Sequence, residues 1–216
     1  MGRRILIFGG TFDPVHHGHL IVAQAIAERA PFDRVTFVPT ASPPHKEPAR
    51  APGSDRLAML RLACEGERGF EVSDIELRRQ GPSYTVDTLA ELRRLESPGA
   101  EFHLLLGADM LAELPNWHRA GELVALTRFV IAGRAPWPPP RMEELLASVR
   151  RRLGGEAARQ LDCALAETPR IDVSSSDIRH RIAEGRSVRY LVPEAVRVYI
   201  AEHGLYRLPA PEGAGC

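Results

Sequence analysis

The sequence predicts an α/β fold, a doubly wound, mostly parallel sheet with a small helical part near its C-terminal end. Three observations carry this. Short apolar runs alternate with segments of helical periodicity along most of the 216 residues, and that alternation implies parallel strands joined by right-handed helical crossovers. The first run, ILIF at 5–8, is unbroken, as in a strand buried on both faces. It passes straight into a glycine-rich loop and then a helix, which sets a ligand-binding connection at the carboxyl end of such a sheet.

Taken in order, residues 5–8 form the first strand and 19–30 the first helix, closed by Pro31. Residues 34–39 form a second strand, followed by TASPPHKEPARAPG, too rich in proline and polar residues for either periodicity. Ser54 is placed to cap a helix that carries Leu57, Leu60 and Ala63 at helical spacing. Residues 70–77 alternate as a strand, and 85–95 repeat as a helix. Residues 102–106 are an apolar strand ending in GAD, 113–126 a broken helix and 129–132 another strand. After WPPP, 142–153 and 156–167 read as helices, 170–173 as the last strand, and 177–184 and 193–203 as closing helices. No internal repeat is present, so residues 1–208 read as one domain, helical from about 174 to 208, with 209–216 a flexible tail.

Apolar residues make up 44% and charged residues 26%, the composition of an ordinary globular protein. Lys+Arg and Asp+Glu both total 28, so the basic excess of a nucleic-acid binder is absent. Cys64, Cys163 and Cys216 are odd in number and widely spaced, which suits neither a disulfide framework nor a metal knuckle and predicts a reducing compartment. The run in MGRRILIFGG stops at glycine after four apolar residues, too short for a signal peptide, and no stretch approaches membrane-spanning length. The expected setting is the cytoplasm, with neither nucleic acid nor membrane as partner. A homo-oligomer is compatible with all of this.

The loop GGTFDPVHHGHL, residues 9–20, holds more chemistry than a turn needs. Gly9 and Gly10 allow a tight turn and let main-chain N–H groups approach a phosphate, and Thr11 adds a hydroxyl. His16 and His19 are three apart, so at a helix start they share a face beside its positive end. Two imidazoles there can donate to phosphoryl oxygens as charge develops. A metal pair is the competing reading of HxxH, but no third ligand sits at ligand spacing. The loop matches neither GxGxxG nor the phosphate loop of the GxxxxGK(S/T) type.

GGTFDPVHHGHL resembles the nucleotidyltransferase signature GxFxPxHxGH, with His16, Gly18 and His19 supplying HxGH. VSSSDIRHRI, residues 173–182, resembles the same superfamily's (S/T)xxIR segment. Between them GPSYTVDTL, LLGAD and LPNWH stand in the order seen in bacterial nicotinate mononucleotide adenylyltransferases, and the ending VPEAVRVYIAEHGLY is similar too. The resemblance covers nearly the whole chain and implies a Rossmann-like nucleotidyltransferase fold. It implies an enzyme that transfers the adenylyl group of ATP to nicotinate mononucleotide, giving nicotinate adenine dinucleotide and pyrophosphate in NAD biosynthesis. Two rivals are phosphopantetheine adenylyltransferase, which should lack the SYT and NWH segments, and a non-catalytic nucleotide-sensing module. A pure sensor has no need of His16, His19 and Arg179 together.

In that family the mononucleotide phosphate attacks the α-phosphorus of ATP directly, so catalysis rests on positioning and charge. The resemblance makes His16, His19 and Arg179 catalytic, with Gly9, Gly10, Thr11, Ser175, Ser176 and Ile178 on ATP. SSSDIR also reads as a helix start, since Ser174 and Asp177 make a variant capping box. Three serines and an arginine, however, exceed what a cap needs. Gly107 and Asp109 are implied at the adenosine ribose, although Asp109 also suits a helix cap. Arg134 meets a phosphate or solvent. Tyr84, Thr85 and Trp117 are implied at the mononucleotide: a helix starting at SYT offers N–H groups to a pyridine carboxylate, and Trp117 a stacking face. Ser83 or Thr85 capping that helix is compatible with this. Lys46 reaches the mononucleotide phosphate or stays solvated. Mg²⁺ is expected to travel with the ATP phosphates, with no metal site of the protein's own.

Overall fold

The structure is a computed structural model and describes residues 2–41, 48–133 and 139–207. Its elements run β1 (Arg4–Gly10), α1 (His17–Arg29), β2 (Arg34–Pro39), α2 (Gly53–Cys64), β3 (Phe70–Val72), α3 (Ile75–Arg78) and α4 (Thr85–Leu95). They continue with β4 (Glu101–Gly107), α5 (Ala108–Glu113), a 3₁₀ turn (Leu114–Asn116), α6 (Ala120–Leu126), β5 (Arg128–Gly133) and α7 (Pro139–Leu153). Last come α8 (Gly155–Gln160), β6 (Cys163–Glu167), α9 (Ser175–Ala183) and α10 (Glu194–Glu202).

The strands form one six-stranded sheet in the order β3-β2-β1-β4-β5-β6, with every neighbouring pair parallel. The chain winds outward from β1 through β2 to β3, then returns to β4 on the other side of β1. That reversal leaves a crevice beyond the carboxyl ends of β1 and β4, where an open α/β sheet binds its ligands.

Alternation along the strands sorts two cores. Ile5 and Ile7 of β1 face a layer with Leu104, Leu106, Phe129 and Ile131, covered by α3 to α7 through residues such as Ile75, Leu89, Leu111, Leu123 and Met142. Leu6, Val35, Phe37, Leu105 and Val130 face the other way, against Val22 and Ile26 of α1, Met59 of α2, Ile178 of α9 and Val196 of α10. The C-terminal helices therefore share a core with α1 and α2. The proposed tail, 209–216, lies outside the described residues.

Several expected elements need correction. Residues 70–77 are a strand only through Val72; Asp74 then begins the short helix α3. Ser54 does not cap α2, whose cap position is Pro52 and shows no side-chain bond. The broken helix begins early, at Ala108, and is interrupted by the 3₁₀ turn and by Arg119 in a left-handed conformation. The largest miss is the sixth strand. It is CALAE at Cys163–Glu167, in the stretch expected to be helical, while 170–173 carry no strand. Alanine, leucine and glutamate favour helix locally, but pairing with β5 from Phe129↔Cys163 to Gly133↔Glu167 outweighs propensity. As an edge strand it is half exposed and lacks the apolar run by which the inner strands are visible.

Candidate active site

β1 stays paired with β2 as far as Gly10↔Pro39, and the Thr40 N–H then donates to the Gly10 carbonyl at 2.9 Å. A side chain at Gly10 would begin 3.1 Å from the Phe12 ring. That ring is buried edge-on to Phe8, Phe37 and His19, with Phe12 itself at φ +48°. The loop is thus folded over an aromatic floor that also supports the second histidine.

Asp13 follows, 3% exposed. Its Oδ2 accepts the Arg50 N–H at 2.7 Å, and its Oδ1 accepts the Ala51 N–H at 3.1 Å and the Tyr206 hydroxyl at 2.8 Å. Arg56 is buried beneath the same loop and donates to the carbonyls of Thr11, Thr40 and Ala51 at 2.7, 2.8 and 3.2 Å. Burial lowers its guanidinium pKa, opposed first by the nearby Asp13 charge. One buried acid and one buried base therefore fix the loops after β1 and β2 against each other.

His16 is the cap residue of α1 and His19 its third residue, joined by reciprocal side-chain and backbone contacts. The His19 Nδ1 accepts the His16 N–H at 3.3 Å. The two rings stack with centroids 3.7 Å apart at 26°. With Nδ1 as acceptor, the neutral His19 ring carries its proton on Nε2, leaving that nitrogen as the donor. Gly18 leaves room for this stacking, since a Cβ would lie 3.0 Å from the His16 ring and press on it. The expected shared face is present, closer than spacing alone implies.

The start of α9 closes on this loop from more than 150 residues away in sequence. Ser174 caps the helix by accepting the Asp177 N–H at 3.1 Å. Ser175 Oγ donates to the Pro14 carbonyl at 2.9 Å. Arg179 donates through Nη1 to the Asp13 carbonyl at 2.7 Å and through Nη2 to Ser176 Oγ at 3.2 Å, with Nη1 also 3.9 Å from the Asp13 carboxylate. The two halves of the resemblance are therefore in contact. Ile178 is fully buried in the core and its N–H is bonded to the Ser174 carbonyl, so its side chain anchors the helix.

Across the crevice, β4 ends at Gly107, the cap position of α5, with Asp109 exposed in the first turn. A Cβ on Gly107 would meet Asp109 Oδ1 at 2.5 Å, so glycine lets that carboxylate fold over the strand end. Tyr84 is the cap position of α4 and stacks on His118, centroids 4.1 Å apart at 27°. Arg119 pairs with Asp87 in the first turn of α4 at 3.1 Å. These contacts bring Tyr84 and Thr85 to the segment that carries Trp117. Trp117 follows the 3₁₀ turn, as expected of a loop, yet is partly buried against the core formed with α4 and α6. Lys46 and Arg134 lie outside the described residues.

The bracing roles of Asp13, Arg56 and Tyr206 escaped the sequence reading. Asp13 has a signal of a kind, an acid inside a loop rich in donors. Arg56 and Tyr206 have none, because their partners are distant in sequence. Among the described residues no group of three or more His, Cys, Asp or Glu could hold a metal ion, and no helix is long and apolar enough to cross a membrane.

Residues 7–181 match the family model described as cytidylyltransferase-like. The chain is 46% identical to a "probable nicotinate-nucleotide adenylyltransferase" of Thermomicrobium roseum over 94% of its own length and 92% of that relative's. It is 42% identical to a protein of the same description from Dehalococcoides mccartyi, over 93% and 95%. In structure it is similar to Plasmodium falciparum nicotinic acid mononucleotide adenylyltransferase complexed with NaAD, with a TM-score of 0.75 at 20% identity, covering 94% and 97% of the two chains. The same parasite enzyme complexed with APC gives 0.73 at 19% identity. The structural likeness speaks for fold, and the sequence likeness for family.

Proposed function

The chain belongs to the nicotinate-nucleotide adenylyltransferase family, within the cytidylyltransferase-like proteins, and from that premise we propose that it transfers the adenylyl group of ATP to nicotinate mononucleotide. The products are nicotinate adenine dinucleotide and pyrophosphate. The observation that carries the reading is the stacked His16–His19 pair at the head of α1, joined through Asp13 to Arg179 of α9.

Imidazole and guanidinium nitrogens stand at this loop beside the hydroxyls of Ser175 and Ser176, which suits a triphosphate. The mononucleotide phosphate attacks the α-phosphorus in line, and the bond to pyrophosphate breaks. His16 and His19 donate to the oxygens on which charge builds. Arg179, beside Ser175 and Ser176, neutralises the departing β- and γ-phosphates with a planar two-pronged contact. Gly9, Gly10 and Thr11 let the backbone approach the phosphates. Asp109, freed by Gly107, accepts from the adenosine ribose. No covalent intermediate is needed, since the attacking phosphate is itself the nucleophile. When bound, Mg²⁺ would offset the negative charge of the phosphate oxygens. The same nitrogen donors suit it poorly as a first shell, so phosphate and water would hold it.

Tyr84, Thr85 and Trp117 receive the pyridine end, with N–H groups of α4 on its carboxylate and the indole against its ring. We assign Lys46 to the mononucleotide phosphate and Arg134 to ATP. The reaction is assigned to the cytoplasm, in keeping with cysteines that fit no disulfide framework.

The test is pyrophosphate release from ATP with nicotinate mononucleotide, nicotinamide mononucleotide or phosphopantetheine. Release with the acid, at a kcat/KM about a hundredfold above the amide, is expected. That ratio corresponds to roughly 3 kcal/mol, within reach of one or two charge-assisted bonds. Comparable rates for acid and amide would sink the helix-start account, and use of phosphopantetheine alone would overturn the whole reading.

A further inference from the structure

Asp13 and Glu76 are the two buried carboxylates of the described residues, and the mechanism above uses only the first. Glu76 stands in α3, 7% exposed. A carboxylate removed from water is costly unless its oxygens are met by donors, so its surroundings need a reason. Thr88 Oγ1 in α4 donates to Glu76 Oε1 at 2.8 Å and itself accepts Arg79 Nη2 at 2.8 Å. The Thr88 hydroxyl also stands 3.2 Å from the Tyr84 carbonyl, which ties the carboxylate to the turn before α4. Ser83, the Ala41 N–H and the Arg79 charge favour the ionised form, while Glu76 Oε2 is buried with no hydrogen-bond partner among the described residues. Ser83 and Thr88 are themselves buried.

These partners share a location. Ser83 is the residue before the cap position of α4, and Thr88 closes the first turn, its N–H bonded to the Tyr84 carbonyl at 3.2 Å. Ala41 ends the described part of the loop after β2. Glu76 therefore grips the outer side of the helix start whose N–H groups are proposed to receive the pyridine carboxylate. Thr85 and Val86 precede the first intrahelical bond, from the Asp87 N–H to the Tyr84 carbonyl at 3.1 Å. The direction of that N–H pair depends on how the Ser83–Tyr84 turn is held. Burial raises the Glu76 pKa, opposed in part by the Thr88 hydroxyl and then by Ser83, the Arg79 charge and the Ala41 N–H.

We infer that Glu76 is a positioning residue for mononucleotide selection, fixing the Ser83–Tyr84 turn so that the first N–H groups of α4 face the pyridine carboxylate. The inference rests on the activity proposed above and adds a residue that touches no substrate. It also makes a separable demand, since the hydrogen bonds that hold the phosphate loop, Asp13 and α9 include none from Glu76.

The experiment compares Glu76→Ala and Thr88→Val with the unaltered protein, measuring Tm together with KM and kcat for ATP, nicotinate mononucleotide and the amide. Thr88→Val keeps the side-chain shape and removes the bridging hydroxyl, so it decides the matter if Glu76→Ala does not fold. The expected result is a rise in KM for the acid of about tenfold, with KM for ATP within about twofold and a smaller acid-to-amide ratio. A lower Tm with both KM values and the ratio unchanged would make Glu76 a structural acid only and overturn the inference. An unaltered protein that does not turn over nicotinate mononucleotide would overturn the activity itself, a failure visible before any variant is made.

Discussion

The phosphate end and the pyridine end of the proposed site are each organised around one buried carboxylate, but the two are satisfied in different ways. Asp13 collects Arg50, Ala51, Arg179 and Tyr206, partners between 37 and 193 residues away in sequence. Glu76 is held by Thr88, 12 residues away, which Arg79 bonds in turn, and the charge of Arg79 and the nearby Ser83 favour its ionised form. The first arrangement exists only once the C-terminal helices have docked on α1 and α2. The second is largely a local α3–α4 structure. Damage at the phosphate end should therefore spread to turnover and folding together, whereas damage at the pyridine end should stay with one substrate.

His19→Ala tests the phosphate end most severely. The ring stacks on His16 and accepts at Nδ1, and the proposal makes its Nε2 a donor where charge develops. Removing one preorganised donor of this kind costs about 10²–10³ in kcat. KM for ATP should move far less, since the proposal leaves Arg179 and the serines of α9 to hold the phosphates. Turnover near that of the unaltered protein would remove His19 from the chemistry and erase the contrast between the two ends.

Arg179→Lys is the next largest. The guanidinium bridges the Asp13 carbonyl and Ser176 Oγ through its two terminal nitrogens, which a single ammonium cannot reproduce. Both KM for ATP and kcat should worsen by about tenfold, because the contact acts on bound ATP and on the leaving group alike. Full activity in this variant would mean that charge alone matters at that position.

The same contrast explains what was legible in the sequence. The loop after β1 could be read because glycines, histidines and a capping position lie within one short stretch, and the shared face of His16 and His19 follows from their helical spacing, although their stacking does not. The contact of α9 with that loop was accessible only through resemblance, since nothing local in SSSDIR says where it docks. Arg56 illustrates the opposite limit: an arginine in the polar pattern of α2 reads as a solvated residue, yet it is buried on three carbonyls that belong to other loops. β6 was misread for a related reason. CALAE has helical propensity, and only the free edge of β5 makes it a strand. Where a residue's role is set by distant partners, local pattern carries no trace of it.

The smallest effect expected is that of Tyr206→Phe, and it probes how far the long-range bracing reaches. The hydroxyl supplies one of the three donors to the Asp13 carboxylate, at 2.8 Å, from the far end of the described chain. Its removal leaves a buried acceptor with one partner fewer, a loss of about 1–2 kcal/mol in stability. Turnover should fall only a few-fold, since Arg50 and Ala51 still hold Asp13 and Arg179 keeps the Asp13 carbonyl. pH supplies a second readout. Burial, then the nearby Asp13 charge, raises the Tyr206 pKa above its ordinary 10.0. A group whose folded pKa is raised contributes its stability below the unfolded pKa and loses it as pH climbs through that value. The Tm difference between the unaltered protein and Tyr206→Phe should therefore be constant up to about pH 9 and shrink above pH 10. A difference that stays constant through pH 11, or no difference at any pH, would show that Tyr206 does not brace Asp13. The phosphate end would then depend on nearer partners alone, as the pyridine end largely does.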